Sequence, residues 1–91
     1  MNKNEEKCCW IIAVACELWD GIDLYKFYGD INDAKKKMVN MIKKDKNNSH
    51  RWDYGSTRLS QIEHRGTSEL YGYGCYSDYH INYTARKLDS L

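Results

Sequence analysis

Apolar and polar positions along this chain change their period twice, and each change marks an element. From Trp10 to Trp19 the run WIIAVACELW is nearly continuous in apolar, β-branched and aromatic side chains, and at this length it reads as a strand. Asp20-Gly21 follows, a turn signal in which glycine supplies the positive φ of a tight hairpin. Ile22–Tyr28 is the expected return strand. A three-residue loop with Gly21 at a bulge pairs Leu18 with Ile22 and Cys16 with Leu24. A two-residue loop pairs Trp19 with Ile22 instead. One residue of slip exchanges the two faces, so the pattern leaves the register open.

The period then lengthens. Gly29 closes the strand and Asp30 is placed to cap a helix running to about Asp45, with Asp33 adding favourable charge in the first turn. Ile31, Ala34, Met38, Met41 and Ile42 form one apolar stripe at helical spacing. Lys35, Lys36, Lys37, Lys43, Lys44 and Lys46 fill the remaining surface. Asn47-Asn48-Ser49 breaks the helix.

Beyond it the short period returns. Arg51–Tyr54 alternates, Gly55-Ser56 interrupts, and Thr57–Ile62 fits either a helical turn or an edge strand. His64–Thr67 is a turn. Ser68–Cys75 and Asp78–Arg86 are two strands joined at Tyr76-Ser77. In the last strand Tyr79, Ile81, Tyr83 and Ala85 share one face, and His80, Asn82, Thr84 and Arg86 the other. The order predicts an α+β domain: a single antiparallel sheet of four to five strands, opening with a β-hairpin, and one amphipathic helix packed on one face. One helix covers only part of such a sheet, so the second face is polar, paired or used for binding.

At 91 residues there is room for one core, here expected over 8–91 behind a flexible heptapeptide 1–7. Charged residues at 30% and apolar ones at 42% fit a folded domain rather than a disordered one. A net charge of +1 argues against whole-surface mimicry of nucleic acid and against a generally basic nucleic-acid binder. No apolar run reaches the roughly 18 residues that span a bilayer. The polar start of mixed charge is unlike a secretion signal, which leads to an expected cytoplasmic location. In that compartment Cys8, Cys9, Cys16 and Cys75 are expected to be free thiols that pack as small hydrophobes.

The chemistry concentrates in 71–83, YGYGCYSDYHINY, which holds five of the eight tyrosines and no lysine, arginine or glutamate. Tyrosine offers rigid contact area at low entropic cost. Gly72–Tyr76 departs at most positions from the aromatic motif of RNA-recognition sheets. Gly72 and Gly74 are read instead as places where a strand passes close to bulky neighbours. Asp78 and His80 share a strand face, but Ser77 points away and no oxyanion-stabilising loop accompanies them, so no enzyme activity is expected. The thiols lack metal-binding spacing and no cofactor is expected. Trp10 belongs to the core, while Trp19 and Trp52 lie beside loops as candidate exposed anchors. The candidate partner-binding set is Trp52, Asp53, Tyr54, Tyr73, Tyr76, Asp78 and Tyr79, the chemistry in which binding hot spots are enriched. The alternative is nucleic-acid contact through Lys35, Lys36, Lys37, Lys43 and Lys44, which with Lys46 outnumber the aspartates of the helix by six to three.

The absence of a catalytic motif, the hairpin-plus-helix plan and the ending YGYGCYSDYHINYTA resemble small phage- and mobile-element-encoded proteins, among them the anti-CRISPR proteins. The resemblance implies stoichiometric inhibition of a defence nuclease by direct binding in a bacterial cytosol. The expected partner is then a larger host protein or ribonucleoprotein, with Asp53 and Asp78 meeting a basic channel. Nucleic acid is the second expectation and a nucleotide-like small ligand the third. A homodimer through the uncovered sheet face is compatible with each.

Overall fold

The computed structural model describes residues 8–18, 20–49, 51–77 and 79–88. The elements are β1 (Cys8–Cys16), β2 (Ile22–Gly29), α1 (Ile31–Asn47), β3 (Trp52–Gly55), a 3₁₀ turn at Leu59–Gln61, β4 (Glu63–His64), β5 (Glu69–Tyr76) and β6 (Tyr79–Lys87). The strands form one sheet in the order β2-β1-β6-β5-β3, with β4 also against β5, and all pairings are antiparallel. This is the expected α+β plan of one sheet and one helix. The sixth strand is the two-residue β4. Segment 1–7 and Trp19 lie outside the described residues.

β1 is central, between β2 and β6, and only one face of its near-continuous apolar run lies in the core. Trp10, Ile12, Val14 and Cys16 are buried and alternate with half-buried Ile11, Ala13 and Ala15. The first hairpin corrects both expected registers, because Ala15 pairs with Ile22 and Cys8 with Gly29. The turn is therefore wider than Asp20-Gly21 suggests. The cause lies in β6: Cys16 remains opposite Ile81, and the Glu17 N–H donates to the His80 carbonyl at 3.4 Å. Chain that a tight hairpin would give to β2 is held by the other neighbour. In the observed register Asp23, Tyr25 and Phe27 share a face with Val14, Ile12 and Trp10, and Ile22, Leu24, Lys26 and Tyr28 share the opposite one.

α1 begins where expected. The Asp30 carboxylate accepts from the Asp33 N–H at 2.8 Å, and the Asp33 carboxylate accepts from the Asp30 N–H at 3.2 Å, a reciprocal cap. The helix buries Ala34, Met38, Val39 and Ile42, with Ile31 and Met41 half-buried against the same core. Beneath it lie Trp10, Ile12 and Val14 of β1, Leu70 of β5, and Ile81, Tyr83 and Ala85 of β6. Tyr83 is fully buried, and its hydroxyl donates to the Asp45 carboxylate of α1.

β5 explains the tyrosine–glycine alternation. Gly72 and Gly74 face the helix. A Cβ at Gly72 would stand 3.1 Å from the Ile42 and Ile62 methyls, and one at Gly74 would stand 2.2 Å from the Trp52 ring. The second hairpin turns one residue later than expected: Tyr76 pairs with Tyr79, and Ser77 takes a left-handed φ of 56°. The two faces of β6 are those read from the sequence.

Candidate functional site

The face opposite α1 is open, and its two halves differ. Toward β5 and β3 it carries tyrosines. Tyr71 and Tyr73 project there because Gly72 and Gly74 project the other way. Their rings lie 6.5 Å apart between centroids at 25°. Tyr54 of β3, opposite Cys75, continues the row edge-on to Tyr73 at 6.0 Å. At the other end the Arg65 guanidinium sits 4.5 Å from the Tyr71 ring centre, a stacked cation. Arg65 is held there by Glu63 at 3.3 Å, and its N–H donates to the Glu69 carbonyl at 2.9 Å. The Tyr71 hydroxyl donates to Asn82 at 2.7 Å, fixing the ring over the sheet. The result is a row, Arg65–Tyr71–Tyr73–Tyr54, supported from below.

That support is polar as well as apolar. Ser56 is fully buried; its hydroxyl donates to the Gln61 carbonyl at 3.2 Å and accepts from the Tyr73 N–H at 3.1 Å. The Ser56 N–H donates to the Tyr73 carbonyl at 2.8 Å. Both backbone groups of Tyr73 are thereby satisfied across an interruption in β3. The Tyr54 phenol is held above its ordinary value by the Cys75 thiol beside it, then by desolvation, Tyr73 and Asp53. It therefore stays a neutral donor and acceptor at physiological pH.

The expected binding residues divide between the two faces. Tyr54, Tyr73 and the exposed Asp53 lie on or beside the open face. Trp52 does not stand out as an exposed anchor. It is half-buried on the helix side, its ring laid over Gly55 and Gly74, because two adjacent glycines leave a trough that only a large ring fills. Tyr79 is likewise half-buried against the core. Tyr76 lies in β5 opposite Trp52 and Tyr79. Asp78 lies outside the described residues, so its suggested pairing with His80 has no description; His80 instead meets Glu17 at 3.1 Å on the surface. Arg65 and Tyr71 were not singled out by residue type. The YGYG alternation carried the signal for Tyr71, whereas Arg65 reaches the row only through pairing of β4 with β5.

On α1, Lys36, Lys37, Lys43, Lys44 and Lys46 are exposed and Lys35 half-buried. None of the six joins an ion pair among the described residues. Between α1 and β2 runs a cleft of about 320 Å³, lined by Asp23 and Tyr25 on one side and Lys37, Asn40 and Lys44 on the other, with Val14 as its floor. All four cysteines are free thiols. Among the described residues no three potential metal ligands gather, and no helix is long and apolar enough to cross a membrane. Searches of protein-family models, curated proteins and solved structures returned no match to this chain.

Proposed function

We propose that this chain is a small non-enzymatic interaction protein that binds a larger protein or ribonucleoprotein through the open face of its sheet. The row Arg65–Tyr71–Tyr73–Tyr54 carries the reading. Tyrosine and arginine are the residue types in which interface hot spots are enriched, and these side chains are pre-ordered by Asn82, Glu63 and the glycine-backed strand. Pre-ordered rings lose little entropy on docking. Asp53 adds a local carboxylate at the margin, suited to a basic partner surface. Inhibition of a bacterial defence nuclease, as the resemblance to anti-CRISPR proteins implies, is the specific form of this proposal.

A second reading rests on a different observation. The exposed lysines of α1, without ion pairs among the described residues, suit phosphate contacts. The two readings separate by salt and by face. Capture from bacterial lysate is expected to retain one large protein or ribonucleoprotein at moderate salt, and to lose it when Tyr73→Ala replaces the wild-type chain. Retention of bare nucleic acid alone, released as salt rises and unaffected by Tyr73→Ala, would refute the first reading in favour of the second.

A further inference from the structure

Among the described residues β2 is open along its outer edge, on the face away from α1 and, at Asp23 and Tyr25, on the helix face, while Phe27 packs against the core. It is the outermost strand of the sheet, with no neighbour on its outer edge among the described residues. On the open face Ile22 is 62% exposed and Leu24 66%. On the helix face Tyr25 is exposed above the cleft that α1 leaves along β2. The strand pairs with β1 without a bulge, contains no proline and carries only Asp23 and Lys26 as charges. Soluble chains ordinarily shorten, bend or charge such an edge. The opposite edge of this sheet follows that rule: β3 has four residues and a register shift between Trp52 and Tyr54.

We propose that β2 pairs with β2 of a second copy, antiparallel about a two-fold axis at Tyr25, joining two sheets into one. An antiparallel two-fold pairing of identical edges must be centred on a residue, since only then does each face continue across the junction. The sequence of β2 selects which residue. Centring on Asp23 or Lys26 sets like charges directly opposite, which destabilises a sheet. Centring on Leu24 or Phe27 aligns only 22–26 or 25–29 of the strand. Tyr25 aligns all of Ile22–Tyr28 with no like charges opposed. Leu24 then faces Lys26 of the second copy, whose stem lies along it while the ammonium reaches water. On the helix face the two Tyr25 side chains meet and each Asp23 faces Phe27 of the other copy, so the two clefts merge into one trough between two α1 helices. The tyrosine rows remain at the far ends of the joined sheet, and the pairing stands independently of the function proposed for them.

The test is charge reversal across the axis, read by sedimentation equilibrium with circular dichroism as the check on folding. The wild-type chain is expected at twice its 10.8 kDa mass. Leu24→Lys sets lysines opposite one another and is expected to give folded monomer. Adding Lys26→Glu to Leu24→Lys places opposite charges across the axis and is expected to restore the dimer. Wild-type monomer at every concentration, a Leu24→Lys dimer, or failure of the double variant to re-associate would each overturn the proposal.

Discussion

The two ends of the sheet are built from similar apolar material and put it to different use. At the β5–β6 end large side chains meet small ones: Ile42, Ile62 and Trp52 descend onto Gly72 and Gly74, and Tyr83 reaches up to Asp45. At the β2 end Asp23 and Tyr25 stay exposed on the helix side, beside the cleft that α1 leaves, and Ile22 and Leu24 stand exposed on the open face, although β2 is as regular a strand as β5. Alternation decides which residues share a face. Only the element laid on that face decides whether burial follows, and a single 17-residue helix covers part of the width of this sheet.

Three substitutions would break or sharpen that contrast. Met38→Ala removes a fully buried side chain beside Gly72 and is expected to destabilise by about 2–5 kcal/mol in urea unfolding, the range for buried truncations. Gly74→Ala adds one methyl where Trp52 already lies at 2.2 Å and is expected to cost about 1–3 kcal/mol, by overpacking rather than by a cavity. A near-zero cost would mean that the Trp52 ring moves freely and the trough is loose. Leu24→Ala, at a dilution where the chain is monomeric, is expected to stay within about 0.5 kcal/mol of the wild type. A cost comparable to Met38→Ala would show that the β2 end is covered after all.

The parts legible in the sequence were those fixed by local chemistry. Asp30 and Asp33 announce the helix start because their side chains satisfy nearby amides. Ile81, Tyr83 and Ala85 announce the core face of β6 by strict alternation. What depended on a third element was not legible. Asp20-Gly21 signals a tight hairpin, yet the register follows Glu17 and His80, whose backbone bond joins β1 to β6 rather than to β2. Val39 completes the buried helix stripe from outside the expected spacing because the core reaches around that side of α1. Trp52 reads from its neighbourhood in sequence as a loop margin, whereas its position is set by Gly55 close by and by Gly74, which only the pairing of β3 with β5 brings beside it. The tyrosine row was half legible: YGYG sets Tyr71 and Tyr73 on one face, but Tyr54 and Arg65 join them only once β3 and β4 have paired with β5.

The central claim is that the tyrosine row, not the lysine helix, carries binding. Calorimetric titration of the captured partner with two variants tests it directly. Tyr54→Ala combined with Tyr73→Ala is expected to weaken binding about 100-fold or more, as loss of hot-spot rings does, while the thermal melt shows a folded chain. Replacing Lys36, Lys37, Lys43 and Lys44 by glutamine is expected to change affinity less than about threefold, the scale of marginal charges. The reverse pattern, tight binding without the tyrosines and none without the lysines, would contradict the account.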